Sequence, residues 1–124
     1  MGAWGYKSHE SDDCMDEIPA SFLDKKPTNY QMEKTLKKVF NPSKRFYSVR
    51  EKMEVRLGVV VYFLNISEYP NTVIGKDYLQ RALSYARTFK NDKIYLANWK
   101  NEEARKNQLN KEIKLIRKAQ KNSI

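Results

Sequence analysis

The chain has 124 residues, about 40% of them hydrophobic, and a formal net charge of +9. That length fits one domain and that apolar content is not a disordered composition. A single cysteine, Cys14, excludes an internal disulfide and a multi-cysteine zinc or iron–sulfur centre within one chain.

The longest apolar run, Leu57 to Leu64, falls far short of the roughly 20 residues of a membrane helix. The opening lacks the charged-then-apolar pattern of a signal peptide. It also has Tyr6 where N-myristoylation needs Ser or Thr. A soluble cytoplasmic protein that does not engage a membrane is therefore expected.

The charge is unevenly spread. Residues 1–24 hold one base, Lys7, against Glu10, Asp12, Asp13, Asp16, Glu17 and Asp24, a net of −5. The remainder holds 23 bases and 9 acids, or +14. Two readings compete: an acidic external partner, or an acidic opening that folds onto the basic remainder.

In chain order, residues 1–10 read as an ordered segment that tucks Trp4 into the fold. Ser11 is a candidate N-cap for a short helix, with Asp12, Asp13 and Asp16 near its positive end and Cys14, Met15 and Ile18 on its inner face. Pro19 ends or breaks it. After the turn Lys25–Pro27, Thr28 or Asn29 caps a second helix to about Phe40, with Tyr30, Met32, Leu36, Val39 and Phe40 as candidate contacts.

Asn41 and Pro42 punctuate the start of a third helix, predicted over 42–65. Its stripe is Phe46, Val49, Met53, Leu57, Val60, Val61 and Leu64, and from Leu57 it is apolar nearly all round. Such a helix is buried on several sides, and it is expected to be the post for the others. The first half, to Arg56, is amphipathic and basic, so it can face both the core and a partner. The run Val59–Phe63 also favours strand by local propensity, which keeps a buried strand open for those residues. Gly58 costs a helix about 1 kcal/mol relative to Ala, which suggests a close helix crossing.

Residues 67–75 read as a loop. A fourth helix is predicted over 76–89 with the stripe Leu79, Ala82, Leu83, Ala86 and Phe89, and with Tyr78 and Tyr85 at its margins. Residues 93–99 are a possible helical turn placing Ile94, Leu96 and Trp99 inside. The last helix is predicted over 101–118, with Ala104, Leu109, Ile113 and Ile116 inward and fraying after Ala119. The expected fold is all-α, a single domain over 1–124, with about five helices around the third.

For chemistry, His9 and Cys14 are the lone residues of their kinds and sit among Glu10, Asp12, Asp13 and Asp16. A thiol nucleophile needs a base and an orienting group, and all three types occur here. The spacing matches no cysteine hydrolase signature, and a small buried cysteine on an inner helix face is ordinary. The cluster has no second histidine for a metal site. There is no phosphate-binding Gly loop and no Gly-x-Ser-x-Gly elbow. No catalytic residue, metal or cofactor is assigned, and a hydrolase or metal-dependent enzyme at this cluster stands as the rival reading.

The basic residues carry the main functional expectation. Lys37, Lys38, Lys44, Arg45 and Arg50 form one candidate binding group, and Lys106, Lys111, Lys114, Arg117 and Lys118 form another. Bases of this kind neutralise phosphates or acidic protein surfaces. The bland reading is a solvated helical face.

The opening Met1-Gly2-Ala3-Trp4-Gly5, followed by Asp12, Asp13 and Asp16, resembles an uncharacterised bacterial and phage family, domain of unknown function 4259. Its members open with Gly-(Ala/Thr)-Trp-Gly and later carry an Asn-Asp or Asp-Asp pair, then another Asp on a short helix. Asn98 and Trp99, with Glu102 to Arg105, echo the Trp, acidic stretch and final amphipathic helix of that family. The chain departs at Ser11, where Asn is usual, and in its basicity. The resemblance implies a small helical domain without an established activity. It also implies a bacterial or phage-infected host and a place in host–phage conflict. The resulting expectation is a basic helical interaction protein that binds an acidic protein or nucleic acid.

Overall fold

In a computed structural model the described residues are 18, 25, 27–41, 48–66 and 74–122. Every regular element among them is an α-helix. The expected opening segment and first helix lie outside the described residues, except for Ile18, which is buried.

Helix α1 spans Asn29–Val39. Thr28 caps it through a reciprocal pair: Gln31 N–H donates to Thr28 Oγ1 at 3.2 Å, and Thr28 N–H donates to Gln31 Oε1 at 2.9 Å. Together these satisfy two of the donors a helix start leaves unpaired. Met32, Thr35, Leu36 and Val39 form the buried face. Tyr30 is not a core contact as expected; it is 74% exposed, because it lies off the stripe that Met32 and Leu36 define.

Helix α2 spans Val49–Ile66, a later start than Pro42. Ser48 sets that start, since Glu51 N–H donates to Ser48 Oγ at 3.2 Å while Ser48 Oγ donates to Glu51 Oε1 at 3.0 Å. Ser48-x-x-Glu51 is a capping arrangement that the Asn41–Pro42 signal obscured. Val49 consequently sits in the first turn, 76% exposed, and takes no part in the stripe. Every residue from Val55 to Leu64 is buried, and Val59–Phe63 are helical, so the strand reading fails there.

Arg56, the last base of the amphipathic first half, is buried too. Its guanidinium donates to the carbonyls of Val39 at 3.2 Å and Asn41 at 3.4 Å, closing the C-terminal end of α1. It also reaches Tyr85 Oη at 3.4 Å. A cation there suits the negative end of the α1 dipole.

Helix α3, Lys76–Lys90, buries Leu79, Ala82, Leu83, Ala86 and Phe89, the expected stripe. Tyr78 and Tyr85 pack partly buried at its margins. Asp92 then caps the short helix α4, Lys93–Ala97, accepting from Tyr95 N–H at 3.0 Å. That cap turns Tyr95, Leu96 and Trp99 inward. Ile94, expected inside, is 73% exposed.

Helix α5 spans Glu102–Asn122, with Asn101 Oδ1 accepting from Ala104 N–H at 3.1 Å at its start. It runs past Ala119 instead of fraying there. Ala119 packs partly buried against the core, and Gln120 Nε2 donates to Gln80 Oε1 of α3 at 3.0 Å. The most extensive helix pair is α3 with α5, and α2 meets α1, α3 and α5. Among the described residues no helix is long and apolar enough to cross a membrane.

Phe63 is fully buried in α2 and Ile94 is exposed on α4. Phe63→Ala is expected to cost about 3–5 kcal/mol in urea unfolding, and Ile94→Ala less than about 0.5 kcal/mol. Comparable losses at the two positions would contradict this register.

Candidate functional site

The site is built from the orientation of α5. Positions 105, 109, 112 and 116 recur at steps of four, three and four, one stripe of a helix. Leu109 and Ile116 are apolar, but Arg105 and Glu112 share the same stripe at 0% and 1% exposure. A reading confined to apolar residues passes over both. The position-by-position period was the signal that could have found them.

A buried guanidinium needs partners. Arg105 Nε and Nη2 donate to Tyr95 Oη at 3.1 and 2.9 Å. The same hydroxyl donates its own proton to Glu54 Oε1 of α2 at 2.9 Å. One phenol thus connects a cation on α5 to a carboxylate on α2. The Arg105 guanidinium carbon also lies 4.6 Å from the Trp99 ring centroid, and Tyr95 stacks on Phe89 at 4.3 Å. Burial holds the Tyr95 hydroxyl well above the ordinary tyrosine range; Arg105 opposes that shift and Glu54 adds to it. The phenol therefore keeps the proton that it gives to Glu54.

With Arg105, Leu109, Glu112 and Ile116 turned inward, the opposite face of α5 is set. Lys106, Lys111, Lys114, Arg117, Lys118 and Lys121 are all exposed. At 100° per residue they fall within one arc of about 140°. From Lys106 to Asn122 the sequence holds one acid, Glu112, and it is buried on the other side. Lys106, Lys111, Lys114, Arg117 and Lys121 make no ion pair among the described residues. Lys111 also borders a groove between α2 and α5, lined by Val61, Asn65, Gln108, Glu112 and Leu115.

The other expected bases do not join this face as one set. Lys37 and Lys38 are exposed in the last turn of α1, but α1 and α5 are not among the principal packing pairs. Arg50 is tied to Asp92 at 3.3 Å, bracing α2 against the cap of α4. Lys44 and Arg45 lie outside the described residues. Arg105, a base of the same helix, is interior. Lys121 joins the α5 face.

His9, Asp12, Asp13, Cys14 and Asp16 lie outside the described residues, as do the Gly and Trp residues of the opening motif. Among the described residues no group of three or more His, Cys, Asp or Glu side chains is placed to hold a metal. Compared with protein-family models, curated proteins and solved structures, the chain matches none.

The raised folded-state pKa of Tyr95 gives a sign to alkaline stability. The unfolded chain ionises this tyrosine first, near its reference value of about 10. Its contribution is complete below that pH and is lost as pH rises through the folded value. Stability is expected to fall above about pH 10, and Tyr95→Phe to make that decline shallower while lowering stability at neutral pH. Denaturant midpoints measured across the alkaline range check both.

Proposed function

We propose that the protein binds an acidic macromolecule through the exposed face of α5. The observation carrying this reading is the segregation of charge on that helix. Six bases share one solvent-facing arc, while Glu112, the acid within their span, is turned into the protein. A solvated helical face made for solubility alone usually mixes signs, which gives i,i+4 pairing and avoids a single-sign field. From Lys106 onward this face keeps one sign; the exposed acids Glu102 and Glu103 lie before it, in the first turn of the helix. A one-sign surface raises the local concentration of a polyanion and speeds its encounter.

The chemistry required is association alone, with no cofactor. The single cysteine and the resemblance of the opening to a bacterial and phage family support action in the cytoplasm of a bacterial or phage-infected cell. A role in host–phage conflict rests on that resemblance.

Replacing Lys106, Lys114 and Arg117 together with Glu reverses the face without touching a buried side chain. The variant is expected to keep its far-ultraviolet circular dichroism, with each change worth about 0.5 kcal/mol or less in stability. It should lose retention on immobilised heparin, a general polyanion. A matched reversal of Lys34, Lys37 and Lys38 on α1 should reduce retention far less. Equal effects of the two variants would reject α5 as the binding face.

A further inference from the structure

Which polyanion fits is a question of what lies within the basic arc and what does not. We propose that α5 docks in the major groove of B-form duplex DNA, with its two edges against the phosphates of the two strands. This rests on the α5 face being the binding face.

The first argument is the content of the arc. From Lys106 to Lys121 its exposed positions carry Lys, Arg and Asn. The large exposed apolar side chains among the described residues are Tyr30, Val49 and Ile94, on α1, α2 and α4. A protein partner is normally held by aromatic, Met and Arg anchors in an interface core where Lys is depleted. Phosphate oxygens are held by Lys, Arg and Asn donors.

The second argument separates duplex from single strand. Sequence-tolerant single-strand binders stack bases on aromatic side chains. The α5 arc has no aromatic residue, so it has charge but no stacking platform.

Spacing supplies the third argument. At 100° per residue Lys106 and Arg117 lie within about 20° of each other on one edge of the arc. Lys111 and Lys118 lie together on the other edge, about 120° away. An α-helix with its side chains is about 10–12 Å across, and the B-form major groove is about 12 Å wide. A helix in that groove brings one edge to each flanking strand. The deep, narrow major groove of A-form RNA does not admit it. Lys106 to Lys121 spans about 22 Å of helix axis, which spreads the edge bases along the groove.

Fluorescence anisotropy with a labelled 20-base-pair DNA duplex tests this, beside its single strand, an RNA duplex of the same sequence and polyglutamate. The DNA duplex is expected to bind at least about tenfold more tightly than the other three at low salt. Its log K should fall against log salt with a slope of about −3 or steeper, the share of the edge bases Lys106, Lys111 and Arg117. Lys106→Gln and Lys111→Gln, one from each edge, should each reduce that slope by about 1. Tighter or equal binding of single strand, RNA duplex or polyglutamate overturns the duplex-DNA inference and leaves polyanion binding by α5 in place. No binding to any of the four, together with no retention on heparin, overturns both.

Discussion

Arg105 lies fully inside the protein, and the placement of α5 depends on how its charge is held. An isolated buried guanidinium is strongly unfavourable. The Tyr95 hydroxyl accepts hydrogen bonds from two of its N–H groups and donates its own to Glu54. Rotating α5 by one residue would move Arg105 by about 100° and break that chain. Leucine and isoleucine at positions 109 and 116 tolerate sliding better, because dispersion contacts are not directional. The apolar residues supply most of the burial, and the polar network selects which face of α5 is buried. Burying Arg105 therefore places six other bases in water.

Helix α2 has a different kind of constraint. From Val55 to Leu64 it is buried at every position, so it offers the surroundings apolar contact in all directions. It does not by itself specify rotation. Specification comes from groups at its first half: Arg50 to Asp92, Glu54 to Tyr95, and Arg56 to the end of α1. Three polar side chains within seven residues tie α2 to α4 and α1, and Arg56 reaches α3 through Tyr85.

Much of the helical framework was legible in the sequence, most of all α3, where the stripe Leu79 to Phe89 and the termini agree with the structure within a residue. It was legible because that stripe contains no polar residue. Helix α5 was half legible: Leu109 and Ile116 were readable, but the apolar stripe passes over Arg105 and Glu112, because charge normally stays in water. Ile94 and Val49 misled for the opposite reason, since an apolar side chain in the first turn of a helix is often left exposed. In each case capping decided: Ser48 and Asp92 set a register that hydropathy does not carry. The candidate site was legible as composition, a base-rich final helix. It was not legible as geometry, because the single-sign arc exists only if Glu112 is inside. The separation of Arg50, Lys37 and Lys38 from that arc depends on tertiary contacts between distant segments.

The closing of α1 by Arg56 has a consequence for how the molecule comes apart. Helix α1 has a short buried face and a modest interface with α2, which would suit a segment that detaches alone. Yet its terminal carbonyls, at Val39 and Asn41, are held by a side chain that also engages α3. Phe40 is covered by the same guanidinium at 5.6 Å and by Arg81 of α3 at 4.9 Å. Lifting α1 away leaves a cation between α2 and α3 with both of its carbonyl acceptors gone. Loss of the smallest long helix is thereby joined to disturbance of the largest hydrophobic one, and the open and closed forms of α1 are separated by more than its own contacts would provide.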